Sequence, residues 1–388
     1  MRALLISPLR RLDPPSGDIT YTETLLRHPP EGVIYETYDS ALAAGRLIEH
    51  ANRRRFRREP VITGFNKLIN VARAKRWLFW EPFRYFSVAP GAYDLIHLHV
   101  FSAAFWKLDC PLVVTSGAPQ TDLYTDRRGH SPARVARMLR AEAVLARMLG
   151  VNSCAVALPQ AARVAVYTEY YRDWLVSHGV VGRDKIDIVP IMHEPDPRPI
   201  EPRVPRRIGF VAHDFNAKGG AVLLKAFEVV KRKAPHAELV IVGTGRPAGV
   251  REAEGVEWLG QVDRDRLLGE VMPSFDIFAY PTPHDCFSYV MLEAMAAGCA
   301  IATSDYVSMP EAVDYGKAGM VSPVGDHAKL AENIISLLDP QTNMRFRVAA
   351  RARFMEYFSC GAVAPKLLQT YQAALAEAAG TSRRGVTA

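Results

Sequence analysis

Two doubly wound α/β domains are the fold class that this sequence predicts, on three observations. At 388 residues the chain is too long for one ordinary core and about right for two domains. Short runs rich in Val, Ile and Leu alternate with helical periodicity in both halves, the pattern of parallel sheets covered on both faces. Between the halves stands Glu194-Pro195-Asp196-Pro197-Arg198-Pro199, followed by Pro202 and Pro205, a proline-rich stretch that reads as a stiff extended linker. The expected divisions are therefore 1–193, a linker over 194–207, a second domain over 208–360, and a helix and tail over 361–388.

In the first domain, strands are predicted over 3–7, 33–37, 95–99, 112–116, 163–168 and 185–190, each bounded by turn residues. Residues 170–178 read as a helix ended by Gly179. In the second domain, strand 208–212 leads through a loop to a helix over 220–233. There Leu223, Ala226, Phe227 and Val230 follow i, i+3, i+4, i+7 spacing. Strands over 238–242, 276–280, 300–303 and 320–322 alternate with helices near 264–272, 289–297 and 327–338. Two such domains place a ligand cleft at the carboxyl ends of their strands.

Composition narrows the function classes. Hydrophobic residues at 49% and charged residues at 23% are ordinary for a soluble globular protein. The five cysteines are widely spaced and contain no CxxC pair, so neither a zinc site nor a disulfide framework is supported, and a cytoplasmic location is expected. The apolar run at the amino terminus is too short for a signal peptide, and Pro8 breaks it. The long apolar stretch 286–304 is interrupted by Glu293 and Gly298, and reads as helix, turn and buried strand rather than a membrane span. The net charge of +7 is a patch: residues 53–86 carry ten Lys or Arg against Glu59 and Glu81, a local balance of +8 that leaves −1 for the rest.

The segment Asp285-Cys286-Phe287-Ser288-Tyr289-Val290-Met291-Leu292-Glu293 is the most informative in the chain. From Phe287 through Ser304 the only charged side chain is Glu293, so its helix is enclosed on nearly all sides and its carboxylate needs a partner distant in sequence or a ligand. Two further stretches point the same way. Lys218-Gly219-Gly220 precedes a helix, where amides and a lysine attract an anion, although an ordinary turn has the same composition. Val242-Gly243-Thr244-Gly245 breaks a strand at what would be the cleft edge.

In this order and spacing these residues resemble retaining glycosyltransferases of family 4, with the GT-B fold. The acidic-x7-acidic signature of that family is similar to Asp285-Cys286-Phe287-Ser288 leading into Leu292-Glu293-Ala294-Met295-Ala296. Other matches are His213–Gly220, Leu239–Gly245 and Pro310-Glu311-Ala312-Val313, with looser ones in the first half at 94–99, 111–115 and 170–190. The resemblance implies that Glu293 holds the ribose of a nucleotide-diphosphate sugar and that Asp285 lies near the transferred sugar and phosphates. It implies that Lys218 neutralises the leaving diphosphate, with His213, Gly219, Gly243 and Gly260 at the donor. Amides of Phe287, Ser288, Tyr289 and Val290 would face the diphosphate. It further implies two domains facing a central cleft, a last helix crossing back onto the first domain, and no bound metal or cofactor.

The sequence also departs from the family pattern. Ala212-His213 stands where Gly-Arg is common, and Gly117 stands where a sugar-contacting histidine is common. The stretch 116–122, with Gly117 and Asp122, is expected to supply sugar or acceptor contacts, with His97 or His99 as substitutes for the missing imidazole or as core histidines. Gly17 and Asp18 read either as cleft-lining or as a helix-capping turn. The implied activity is transfer of a sugar to a glycan or lipid-linked acceptor in surface polysaccharide or glycoconjugate synthesis. A catalytically weak or silent GT-B protein that binds a nucleotide sugar is the alternative. The aromatic and basic mixture in 53–86 predicts salt-sensitive attachment to an anionic inner membrane face, or a solvated basic helix with its aromatics turned inward. No recognisable nucleic-acid-binding module accompanies it.

Overall fold

The computed structural model describes residues 1–7, 17–49, 64, 68, 71, 85–99, 104–105, 108–116, 131–149, 158, 161–285 and 287–384. Two compact units result: Met1–Pro190 together with Val363–Ala388, and Ile191–Ala362.

The strands of the first unit are β1 (Arg2–Ile6), β2 (Ile34–Thr37), β3 (Leu47–Glu49), β4 (Tyr85–Val88), β5 (Leu95–His99), β6 (Ala104–Phe105), β7 (Leu112–Ser116), β8 (Arg163–Val166) and β9 (Ile186–Ile188). Six of them form a sheet in the order β2-β1-β5-β7-β8-β9, parallel throughout. Leu4, Leu5, Ile96, Leu98, Val113, Val114, Val164 and Val166 are buried. Consecutive apolar residues can all be buried only when helices cover both faces. All six predicted strands of this half are present, some shorter at their ends by one or two residues. A small sheet, β3-β4-β6, was missed because strands of two to four residues carry too little periodicity to read.

The second unit repeats the scheme with β10 (Arg207–Val211), β11 (Glu238–Val242), β12 (Val256–Gly260), β13 (Ile277–Tyr280), β14 (Ala300–Ser304) and β15 (Met320–Ser322), in the order β12-β11-β10-β13-β14-β15, again parallel. The edge strand β12 was not predicted: Val256-Glu257-Trp258-Leu259-Gly260 is only half-buried and lacks the continuous apolar run of its neighbours. The helix Gly220–Lys233 occupies its predicted span, with Leu223, Ala226, Phe227 and Val230 buried. The helix expected near 264–272 is instead a composite: an α turn at Arg264–Arg266, a π turn at Leu267–Val271 and a 3-10 turn at Met272–Ser274, where Pro273 cannot donate to a regular ladder.

The proline-rich segment is fastened to the second unit by arginines. Arg203 pairs with the buried Asp276, which also accepts from the amides of Arg206 and Arg207 at 2.8 Å. Arg347 and Arg351 donate to the carbonyls of Glu201 and Asp196, each at 2.9 Å. The last helix, Cys360–Arg384, belongs to the first unit from Val363 onward. Glu377 pairs with Arg163 at 3.2 Å, and the Tyr371 hydroxyl lies 2.6 Å from both the Tyr35 hydroxyl and His97 Nδ1. Among the described residues no helix is long and apolar enough to cross a membrane.

Candidate functional site

Strand β10 ends at Val211 and the chain turns through Ala212–Gly219 into the helix Gly220–Lys233. The turn is held locally: Asp214 Oδ1 accepts the Ala217 amide at 2.9 Å, and the Phe215 carbonyl accepts the Gly220 amide at 2.8 Å. Phe215 is buried between Phe210 and Trp258 and anchors the loop. Gly219 sits at φ +84°, and a Cβ there would collide with the Pro281 carbonyl oxygen, so this position requires glycine twice over.

The backbone so placed carries Lys218 to the carboxyl end of β13. Its Nζ lies 2.7 Å from Asp285 Oδ2 and 3.0 Å from the His284 carbonyl oxygen. The same Asp285 oxygen accepts the Tyr280 hydroxyl at 2.6 Å. Tyr280 is buried at the last position of β13; burial first, and then the charge of Asp285, push its phenol well above the usual value. It therefore remains a hydrogen-bond donor to the carboxylate at any working pH. Neither the sequence pattern nor the resemblance singled out Tyr280, although a tyrosine closing an otherwise apolar strand five residues before Asp285 was a usable signal.

Ser288 caps the helix Tyr289–Ala296, its hydroxyl accepting the Met291 amide at 3.3 Å, and Gly298 at φ +76° closes it. N–H groups in a helix's first turn have no acceptor within that helix, so this end favours an anion. Met291 through Ala296 are all buried, and Glu293 is 4% exposed. Its carboxylate is met by Arg264 at 2.8 Å, from the turn that Asp263 caps through the Arg266 amide. The partner of Glu293 is thus a residue distant in sequence, one of the two possibilities that its lone charge left open.

Two more predicted positions converge here. Gly243, at φ +91°, follows β11; a Cβ on it would lie 2.7 Å from the Ala212 carbonyl oxygen. Its amide donates to the Gly260 carbonyl at 2.7 Å, which joins the ends of β11 and β12 beside the loop after β10. His213 is exposed in that loop. The ends of β10, β11, β12 and β13 therefore bring together His213, Lys218, Gly219, Gly243, Gly260 and Asp285.

Of the residues expected on the acceptor side, Gly17, Asp18 and His99 are among the described residues. Gly17 and Asp18 open the helix Gly17–Arg27. His97 is fully buried, with Thr115 Oγ1 at one ring nitrogen and the Tyr371 hydroxyl at the other, so the structure uses it as a core histidine. His99 is 2% exposed and stacks on Tyr21 with ring centroids 4.1 Å apart. Gly117 and Asp122, and all of 53–86 except Gly64, Leu68, Val71, Tyr85 and Phe86, lie outside the described residues. An open cavity of about 740 Å³ in the first unit is lined by Ser131, Arg137, Arg140, Ser177 and His178 among others, none of them a predicted site residue.

Residues 205–340 match the family described as Glycosyl transferases group 1. That stretch makes up most of the second unit, Ile191–Ala362. Over 180 residues the chain is 32% identical to the phosphatidyl-myo-inositol mannosyltransferase of Mycolicibacterium smegmatis, a match covering 44% of this chain and 46% of that protein. It is 29% identical over 186 residues to the alpha-maltose-1-phosphate synthase of the same organism, covering 42% and 47%. The chain thus spans about half the length of the curated relatives it matches. Among solved structures, sucrose-phosphate synthase from Thermosynechococcus elongatus superposes with a TM-score of 0.61 at 18% identity, over 97% of this chain and 99% of that one. Anabaena HepE in complex with UDP and glucose gives 0.60 at 14% identity, over 96% and 99%. At such identities the likeness establishes the fold, which is GT-B.

Proposed function

We infer that this chain is a retaining glycosyltransferase that moves a hexosyl unit from a nucleotide-diphosphate sugar to a glycan or lipid-linked acceptor. The observation that carries the inference is the meeting of Lys218, Asp285 and the amino end of the helix Tyr289–Ala296 at the carboxyl ends of β10 and β13. A diphosphate entering there gains an ammonium and a helix amino end, which is how positive charge is supplied to a leaving phosphate. In the transfer the bond between the anomeric carbon and the diphosphate oxygen breaks, and a bond from the acceptor oxygen to the same carbon forms on the same face. The acceptor proton passes to the departing diphosphate, so no enzyme nucleophile or metal is assigned a step. Glu293 is the ribose ligand in this proposal, through the carboxylate oxygen that Arg264 does not hold, and His213, Gly219, Gly243, Gly260 and the 287–290 amides line the donor. Gly17, Asp18, His99, Gly117 and Asp122 are assigned to the acceptor side, His99 through its packing.

Support for a lipid-linked or surface-glycan acceptor comes from the mannosyltransferase relative, whose name specifies phosphatidyl-myo-inositol, and from the basic and aromatic composition of 53–86. Attachment to the inner membrane face is part of the proposal; co-sedimentation with anionic vesicles at low but not high salt supports it, and a protein left in the supernatant at low salt removes it. The test of activity is turnover of a panel of UDP-, GDP- and ADP-sugars with and without a chelator. Donor hydrolysis or transfer that is insensitive to chelation and lost in Lys218→Ala is expected. The replacements at His213 and Gly117 favour one second reading, a nucleotide-sugar-binding protein without turnover. Binding of a nucleoside diphosphate with no donor consumed by any acceptor would establish it.

A further inference from the structure

Lys218 does not wait free for an anion. Two of its three ammonium protons are taken, by Asp285 at 2.7 Å and the His284 carbonyl at 3.0 Å, with side-chain exposures of 24% for Lys218 and 15% for Asp285. In so enclosed a pair each charge offsets the desolvation of the other, and removing one partner leaves the other exposed to the full cost. A diphosphate that recruits Lys218 brings its own negative charge beside Asp285, so the two anions compete for one ammonium, and the carboxylate must be stabilised by something else if the ammonium turns to the phosphate. The Tyr280 hydroxyl is already there, donating to the same oxygen at 2.6 Å from a buried position at the end of β13.

We propose that Lys218–Asp285 is a latch on the donor site, released by exchange of the ammonium onto an incoming diphosphate, and that Tyr280 is the positioning residue that keeps Asp285 in place during the exchange. The proposal rests on the donor-site reading above and adds a regulation of that site. The latch lowers the affinity of ligands that carry the diphosphate and leaves that of the nucleoside alone unchanged.

The latch is tested by calorimetric titration of the intact chain with UDP, GDP and ADP, and with the nucleoside of whichever binds best. Asp285→Asn should bind the diphosphate about five- to tenfold more tightly than the unaltered protein, the equivalent of one charged contact no longer broken, with nucleoside affinity unchanged. Tyr280→Phe should weaken diphosphate binding about threefold or more, because the undispersed carboxylate holds Lys218 harder. That loss should vanish when Tyr280→Phe is combined with Asp285→Asn, which a merely structural role for the tyrosine would not produce. If Asp285→Asn does not fold, Tyr280→Phe in a Lys218→Met background serves instead, and no effect on diphosphate affinity is expected there. Asp285→Asn binding equally or more weakly, or a Tyr280→Phe effect that persists in either background, overturns the latch while leaving the donor site intact. No diphosphate binding by the unaltered protein overturns the donor-site reading and the latch with it.

Discussion

The two units share a six-stranded parallel sheet but put their polar groups in different places. In the first unit titratable side chains lie within the core: Tyr35, Tyr371, His97 and Thr115 form a continuous chain of hydrogen bonds linking the last helix to the sheet. Burial, and next the neighbouring His99, push His97 down to about 3, and burial pushes Tyr371 well above its usual value. In the second unit the ion pairs Lys218–Asp285 and Arg264–Glu293 stand at or near strand and helix ends. The contrast teaches that buried polarity in the first unit fastens elements together, whereas the second divides it: Arg203–Asp276 fastens the proline-rich segment, and Lys218–Asp285 stands at the proposed donor site.

The sharpest way to break the contrast is Lys218→Ala. If the ammonium acts on the leaving diphosphate, turnover should fall by about 10²–10³, as for removal of one preorganised charge-stabilising donor, with the melting of the first unit unchanged and that of the second lowered by the unpaired Asp285 carboxylate. Glu293→Gln should fold and lose about 1–3 kcal/mol of donor binding by calorimetry, since it weakens a charge-assisted contact. Acid should separate the units in the opposite direction. His97 is neutral in the folded state down to about pH 3, whereas its unfolded value is near the ordinary 6.5. Between those values the unfolded chain binds a proton that the folded one refuses, so stability is lost as pH falls through that window. The loss should be about 2 kcal/mol by pH 5 in the first unit, read as faster amide exchange there than in the second. The smallest effect is expected for Ser288→Ala, about 1 kcal/mol of stability in denaturant unfolding from loss of the cap on the helix Tyr289–Ala296.

How much of this was legible in the sequence followed the same division. The sheet strands could be read because parallel strands buried on both faces are continuous apolar runs, and the helix at 289–297 because one carboxylate interrupts such a run. The residues proposed for the donor could be picked out because they occupy contiguous motifs: Lys218 with Gly219, Asp285 with Glu293. Their partners could not. Arg264 lies 29 positions before Glu293, in a turn whose composition is unremarkable, and Tyr280 passes for the last apolar residue of its strand. The chain from Tyr35 to Thr115 was illegible for a related reason. Its members come from β2, β5, β7 and the last helix, and only the fold makes them neighbours. Histidines 97 and 99 were candidates for sugar contact because they lie at the end of the strand next to the one that precedes Gly117, and the sequence does not show that Tyr371 and Tyr21 pack against them.

Amide hydrogen exchange on the intact protein, with and without a saturating nucleoside diphosphate, tests the central claim most directly. Ligand that occupies the site formed by Lys218, Asp285 and Glu293 should slow exchange in 212–220 and 285–293, and more weakly at 243–245 and 258–260, with little change in β5 and β7. Protection confined to the first unit, or bound ligand that leaves 212–220 and 285–293 exchanging at their original rates, would contradict it.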